Sequence, residues 1–184
     1  MGGARHLGEP VPATCRTWTV DRHTDDRLYP REGSPLGSWW KRGEQKQAVG
    51  RSRGGRNTKI HALADAKGRL IAILLTGGEA HDCPVAARLL NRVEPAQRML
   101  GDKPYDSNEL REELDQRGTK PVIPNRSNRK RPFSFSKHLY KLRWRIESAF
   151  SRLKDFRRVA TRYDKLARNY LASVCLAAAL VWWI

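Results

Sequence analysis

The sequence predicts a mixed α/β domain in which helices cover a sheet. Two apolar segments, "NTKIHALAD" and "RLIAILLT", are joined by "AKG" and have the pattern of a β-hairpin. Short apolar strands then alternate with amphipathic helical segments, and the chain closes with two further helical segments. The chain has 184 residues, which is enough for one domain with a hydrophobic core.

Caps and turn residues mark the elements that follow the hairpin. Asp82 can cap a helix that has Pro84 in its first turn. The segment "QRML" predicts a short strand that ends just before Asp102. Ser107 can cap the next helix, "NELREELDQR", which Gly118 ends.

The last third of the chain is predicted to be mainly helical. "KPVIP" indicates a strand and "NRSNRKRPFSFS" a basic loop, and residues 139–158 form an amphipathic helix, "LYKLRWRIESAFSRLKDFRR". A terminal helix begins at about Lys165. Its apolar part has 15 residues, fewer than the roughly 20 that span a bilayer, so we expect a buried helix and no membrane partner, with a tail anchor as the weaker alternative.

The chain divides into an irregular segment, 1–49, and a folded domain, 50–184. The first segment is rich in proline, glycine and charge and has no sustained period of 2 or 3.6 residues. Its one candidate strand is "TWTVD", which ends at Asp21. We therefore expect residues 1–49 to be disordered or otherwise outside the regular fold.

The formal net charge of the chain is +17, which indicates a polyanionic partner. Nucleic acid is the first candidate, an anionic membrane surface is the second, and a merely soluble basic protein is the third. Residues 126–168 contain 15 basic residues against three acidic ones, so this half carries most of the basic surface. The three cysteines are far apart, which excludes a disulfide framework and indicates the cytoplasm.

One glutamate, Glu147, lies in the middle of the basic helix. At 100° per residue, Tyr140, Arg143, Glu147 and Lys154 form a ridge beside the apolar face of that helix. Arg143 and Glu147 are also spaced i, i+4, so a weak surface ion pair is the simpler interpretation.

A second carboxylate, Asp102, follows a predicted strand at its carboxyl end, where active sites of open α/β sheets collect. Two such carboxylates can hold a divalent cation, and paired metal ions can clamp the oxygens in phosphodiester cleavage. A turn aspartate in "DKPYDS" is the alternative for Asp102.

The segment "LYKLRWRIESAFSRLK" resembles the Tyr-x2-Arg-x3-Glu-x6-Lys signature of bacterial insertion-sequence transposases with a DDE triad. Tyr140, Arg143, Glu147 and Lys154 match it at every spacing. "GRSRGGRNTKIHAL", "LTGGEAHD", "GDKPYDS" and "FRRVATRYDKLARNY" are also similar to that family, particularly its insertion-sequence-five group. The resemblance covers about residues 50–184.

The resemblance implies a ribonuclease-H-like fold and cleavage of double-stranded DNA at transposon ends, followed by strand transfer to target DNA. It implies Mg²⁺ or Mn²⁺ as cofactor, and a homo-oligomer associated with the nucleoid. Asp102 and Glu147 match the second and third catalytic, metal-binding carboxylates, and Asp21 is the candidate for the first. The expected DNA-binding residues lie on the same basic stretch of chain: Tyr140, Arg143, Arg145, Arg152, Lys154, Arg157 and Arg158.

The sequence departs from the family pattern after Asp21. The residues that follow, "RHTDDRLYPREG", do not have a strand pattern, which predicts that the first strand of the sheet is degraded or missing. Asp25 and Asp26 are weaker candidates for the first aspartate. We hypothesise that residues 22–40 are translated out of the ancestral frame and that the chain is truncated or frame-disrupted. A non-catalytic DNA-binding remnant of a transposase is therefore the alternative function.

Two histidines are further candidates for the site. His61 lies on a hairpin strand and His81 beside Asp82, and both could approach the carboxylates. An ordinary strand side chain and a loop residue are the favoured interpretations, because Mg²⁺ prefers oxygen ligands.

Overall fold

The computed structural model describes the backbone of residues 15–23 and all of residues 47–52 and 55–184. The strands are β1 (Cys15–His23), β2 (Gly50–Ser52), β3 (Gly55–Ala64), β4 (Leu70–Gly77), β5 (Arg98–Leu100) and β6 (Lys120–Val122). The α-helices are α1 (Asp82–Leu90), α2 (Asn108–Gln116), α3 (Lys137–Lys141), α4 (Trp144–Lys154), α5 (Arg157–Ala160) and α6 (Ala167–Trp182). A single 3₁₀ turn, Lys103–Tyr105, follows β5.

Strand β1 lies in the middle of the sheet. It pairs antiparallel with β3, from Thr17 opposite Ala64 to His23 opposite Thr58. On its other edge it pairs in parallel with β5, where Thr17 lies opposite Leu100. Strand β6 adds to β5 in parallel, and β2 and β4 pair with β3.

The prediction of a degraded or missing first strand was wrong for Cys15–His23. This segment contains threonine, tryptophan and valine, which favour extended backbone, and two neighbouring strands satisfy its hydrogen bonds. The strand also extends the regular fold into the segment that was predicted to be irregular. Residues 24–46, which include Asp25, Asp26 and most of the proposed out-of-frame segment, lie outside the described residues.

Helices pack on both faces of the sheet. On one face, Ile60, Ala62 and Ala64 of β3 pack against α4 and α6. On the other face, Leu63 of β3 and Leu74 of β4 pack against α1 and α2. The alternation along β3 follows from the two-residue period of a strand and produces a three-layer arrangement.

The helix predicted over residues 139–158 is divided into α3, α4 and α5. Around Leu142 and Arg143 the backbone makes i→i−3 hydrogen bonds, such as Arg143 N–H to the Tyr140 carbonyl at 3.1 Å. Such bonds wind the chain more tightly but keep its right-handed direction. The predicted apolar face therefore survives, with Ile146 and Phe150 among its buried residues. A second break follows α4, where Phe156 is extended.

Two of the three predicted helix-end residues are confirmed. Ser107 accepts a hydrogen bond from the Leu110 N–H at 3.1 Å, and Gly118 follows α2 at a φ of +67°. The predicted Asp82 cap was wrong, because His81 occupies the N-cap position. Asp82 instead accepts from the buried ammonium of Lys59 at 3.0 Å. None of the helices in the described part of the chain has the length and apolar character needed to cross a bilayer.

Candidate active site

Asp102 lies at the carboxyl edge of the sheet. It follows the buried Gly101, which comes directly after β5, and it immediately precedes the 3₁₀ turn. Its side chain is 27% exposed, so solvent and ligands can reach it. The parallel strands β1 and β5 run in the same direction. Beyond the Thr17–Leu100 pair, β1 continues through Asp21, whereas β5 ends and the chain reaches Asp102 two residues later.

One guanidinium connects the two predicted catalytic carboxylates. Arg143 Nη1 lies 2.9 Å from Asp102 Oδ1 and 3.0 Å from Oδ2, and Arg143 Nη2 lies 3.0 Å from Glu147 Oε1. The Tyr140 hydroxyl donates to Asp102 Oδ1 at 3.3 Å. The structure thus brings together Asp102, Tyr140, Arg143 and Glu147, which we call the carboxylate cluster.

The environment of Tyr140 keeps its hydroxyl protonated. Burial raises the pKa of Tyr140, and the negative charge of Asp102 raises it further, although Arg143 opposes this. A protonated phenol can only remain a hydrogen-bond donor toward the carboxylate beside it. Tyr140 therefore fixes the orientation of the Asp102 carboxylate over a wide pH range.

Helix α4 places Glu147 over the sheet. Glu147 lies in the first turn of α4, where a carboxylate interacts favourably with the helix dipole. The helix lies against β1, the strand that contains Asp21. The backbone of Asp21 pairs with Ile60, and its role as a metal ligand stays a prediction.

The oxygen donors of the cluster fit a hard divalent cation. Within the described residues, no group of three His, Cys, Asp or Glu side chains could hold a metal ion. Asp102 and Glu147 nevertheless share one cationic partner, and carboxylate oxygens are the ligands that Mg²⁺ and Mn²⁺ prefer. A third carboxylate, for which Asp21 is the candidate, would complete the set.

Four of the other predicted DNA-binding residues lie in two groups on α4 and α5. Lys154 and Arg157 are exposed near the end of α4 and the start of α5, and Lys154 lies two turns from Glu147 on the same side of α4. Arg145 and Arg152 lie across the helix from Glu147 and line a small cavity with Trp182.

Two predicted DNA-binding arginines are engaged within the chain. The Arg145 guanidinium donates to the carbonyl of Ala66 in the β3–β4 turn. Arg158 makes two hydrogen bonds to the Asp164 carboxylate, at 2.8 and 3.3 Å, and these raise the pKa of its guanidinium. The structure therefore does not place Arg145, Arg152 and Arg158 in the carboxylate cluster.

Sequence reasoning missed the buried aspartate Asp106. Its carboxylate accepts from Arg111 Nε and Arg129 Nε, both at 2.8 Å, and its side chain is fully buried. Burial acts to raise the pKa of Asp106, but hydrogen bonds from Arg129, the Arg126 N–H and Arg111 outweigh it, so the pKa lies below its usual value. No local pattern in the sequence marks Asp106, because only the fold brings Arg129 to it.

His61 is a core residue on the face of the sheet that carries Leu63. It is fully buried, and its Nε2 lies 2.7 Å from the Thr76 hydroxyl. Burial lowers the pKa of His61 to about 4, which keeps the ring neutral. His81 is exposed at the start of α1.

A mixed sheet with β1 at its centre, helices on both faces and carboxylates at one edge defines the ribonuclease-H-like class of fold. The sequence profile of the transposase DDE domain family matches residues 17–182, so this chain belongs to that family. The predicted fold class and the predicted resemblance to bacterial insertion-sequence transposases are both confirmed.

Relatives and a solved structure agree with this assignment. The chain is 34% identical over 127 residues to a protein named as a transposase for insertion sequence element IS6501 from Brucella ovis, covering 68% of this chain and 97% of that protein. It is 29% identical to one named for IS402 from Burkholderia cepacia, covering 100% and 89%.

The fold is similar to that of the piggyBac transposase, solved by cryo-electron microscopy in a synaptic complex with hairpin DNA. The TM-score is 0.53 at 12% identity, and the match covers 94% of this chain and 47% of that chain. This chain therefore corresponds to about half of the solved piggyBac chain.

Proposed function

We propose that this chain cleaves DNA at the ends of an insertion sequence and joins the freed 3′-hydroxyl to target DNA. The observation that carries the proposal is the meeting of Asp102 and Glu147 on the single guanidinium of Arg143. The two carboxylates come from distant parts of the chain and lie at the sheet edge where β1 also ends. If Asp102 and Glu147 were only ordinary surface residues, each could pair with a different cation and they would not need to share Arg143.

The residues of the cluster have distinct roles in this proposal. Asp102, Glu147 and Asp21 would hold Mg²⁺ or Mn²⁺, which supplies charge stabilisation at the attacking and leaving oxygens of the phosphodiester. Tyr140 orients Asp102 through its hydroxyl. Arg143 offsets part of the negative charge of the two carboxylates in the free protein and would contact a phosphate when DNA binds. Lys154, two turns further along α4 than Glu147, would contact a phosphate of the DNA backbone.

The electrostatics of the chain support double-stranded DNA as the partner. A net charge of +17 favours a polyanion, and most of the positive charge lies in the half that carries Glu147. We propose that the active form is a homo-oligomer in the cytoplasm beside the nucleoid, since two DNA ends must be joined to one target.

A non-catalytic DNA-binding remnant is the second candidate. The observation that favours it is that Arg143 already engages both carboxylates, while the residues whose side chains the structure describes contain no cluster of three metal-binding side chains. This form would bind DNA through its basic surface and would not cut it. It would interfere with intact transposase subunits by occupying the same DNA.

Nicking of supercoiled plasmid in Mg²⁺ or Mn²⁺ separates the two candidates. The proposal predicts nicking by the unmodified protein and its loss in Asp102→Asn and in Glu147→Gln. Asp155→Asn is the matched control, because Asp155 is an exposed carboxylate at the other end of α4. Binding without any nicking by folded protein would support the remnant. Equal nicking by all four proteins would contradict the proposed site.

A further inference from the structure

The loop between β6 and α3 is held in a defined conformation by hydrogen bonds, although it contains no helix or strand. We call residues 125–133 the basic loop. Asp106 holds its first half, because Asp106 Oδ2 accepts from the Arg126 N–H and from Arg129 Nε, both at 2.8 Å. The Asp106 carboxylate is fully buried, so these bonds are shielded from solvent.

Asn125 closes the two ends of the basic loop. Its side-chain amide donates to the Phe133 carbonyl at 2.8 Å and accepts from the Phe133 N–H at 2.9 Å. The Phe133 ring also lies 4.5 Å from the Arg111 guanidinium and 4.9 Å from that of Arg129. The loop conformation is therefore fixed before any ligand binds.

This framework leaves positive charge on the outer side of the loop. Lys130 and Arg131 are exposed, and among the described residues none is paired with either of them. A cavity of about 470 Å³ lies between the basic loop and the start of α2. Its lining is basic or neutral apart from two carboxylates, Glu109 and Asp106, and Asp106 is already paired with Arg111 and Arg129.

The two ends of the basic loop lie next to residues that neighbour the carboxylate cluster. Arg126 Nη2 donates to the carbonyl of Pro104, two residues after Asp102, at 2.7 Å. Just beyond the loop, the Phe135 ring packs edge-on against Tyr140 at 5.9 Å, and Tyr140 contacts Asp102. The loop thus lies at the same edge of the sheet as the cluster.

We propose that the basic loop is a preformed site for backbone phosphates of double-stranded DNA next to the cut, with Lys130 and Arg131 as the contacting cations. Asp106 is a positioning residue, because it holds the loop without touching DNA. The inference rests on the proposed function, since it takes DNA at the carboxylate cluster as given. A loop whose conformation is already fixed loses less backbone entropy on binding phosphate than a mobile loop does.

The salt dependence of DNA binding tests the proposal. Each phosphate contact contributes about 0.9 to the slope of log K against log salt concentration, so the Lys130→Ala/Arg131→Ala double variant should lower the slope by about 1.8. Fluorescence anisotropy with a labelled duplex of arbitrary sequence measures this slope. Arg88→Ala/Arg92→Ala is the matched control, because it removes two exposed arginines at the end of α1, away from the cluster.

Three outcomes decide the matter. A lower slope in the loop variant, with the control unchanged, is the expected result. An unchanged slope in the loop variant, while the unmodified protein binds DNA, overturns this inference and leaves the proposed function standing. Failure of the unmodified, folded protein to bind DNA overturns the proposed function and the inference together.

A second variant tests whether the fixed conformation matters. Phe133→Leu removes the aromatic ring between Arg111 and Arg129 but keeps every charge. Because Phe133 is 46% exposed, the fold should survive the change. We expect weaker DNA binding with an unchanged salt slope. Unchanged affinity would contradict the claim that the loop is preorganised.

Discussion

Arg143 and Asp102 make a two-point contact, with Arg143 Nη1 at 2.9 Å from Oδ1 and at 3.0 Å from Oδ2 of the carboxylate. The same guanidinium extends its other nitrogen to Glu147 at 3.0 Å. One positive charge therefore lies between two negative charges at the edge of the sheet, which leaves the three groups with a net charge of −1. The side chains of Arg143 and Asp102 are 23% and 27% exposed, so the pair can open when a stronger cation or a phosphate approaches.

The first prediction concerns competition between Arg143 and a divalent cation. Arg143→Gln should bind Mn²⁺ about tenfold more tightly than the unmodified protein, because a competing positive charge is gone, which corresponds to ~1.4 kcal/mol. Electron paramagnetic resonance of free Mn²⁺ measures this affinity. Arg143→Lys keeps the charge and serves as the control. Weaker Mn²⁺ binding by Arg143→Gln would show instead that the guanidinium orients the carboxylates for the metal.

The second prediction concerns the buried network of Asp106. Asp106→Ala should lower the free energy of unfolding by about 3–5 kcal/mol, because it leaves the buried Arg111 without its carboxylate. Urea denaturation followed by circular dichroism gives this value. Asp155→Ala should change it by less than about 0.5 kcal/mol, since Asp155 is exposed. A loss of similar size in both variants would refute a special role for Asp106.

The third prediction concerns the pH dependence of stability. Burial, the positive charges of Lys59 and Arg88, and the opposing charge of Asp82 set the pKa of His61 at about 4. In the unfolded chain the pKa is about 6.5, so below that pH the unfolded state binds a proton that the folded state does not. Stability should be fully present above about pH 6.5 and should fall by about 3 kcal/mol as the pH drops to about 4.

The variant His61→Asn checks the origin of this pH dependence. It removes the titrating ring, so the slope of unfolding free energy against pH between about 6.5 and 5 should flatten. His81→Asn is the control, because it makes the same substitution at an exposed histidine. Asp106 does not interfere in this window, since the stability from its lowered pKa is lost only at more acidic pH. A slope that persists in His61→Asn would assign it to another group.

The sequence could indicate the residues of the carboxylate cluster because most of them lie close together along the chain or beside a recognisable strand. Tyr140, Arg143 and Glu147 lie within two turns of each other, and Asp102 directly follows an apolar strand. Local periodicity could not show the break at Leu142, because the i→i−3 turn keeps the same apolar face.

Two other features depend on residues far apart in the chain. Asp106 is held by Arg111 and Arg129, which follow it on α2 and on the basic loop. Strand β1 receives its hydrogen bonds from β3 and β5, and the segment after His23 has no strand pattern in the sequence, so local patterns did not predict an intact central strand. Such partners are not encoded in any one segment, which is why Asp106 and the central position of β1 escaped sequence reasoning, although the candidate strand "TWTVD" lies within β1.

The most direct test of the central claim measures Mn²⁺ binding by the protein and three single variants, Asp21→Asn, Asp102→Asn and Glu147→Gln. The claim is that these three carboxylates form one divalent-cation site. Each substitution should weaken Mn²⁺ binding at least about tenfold, whereas Asp155→Asn should leave it unchanged. Mn²⁺ binding by any one of these three variants that is as tight as that of the unmodified protein would contradict the claim.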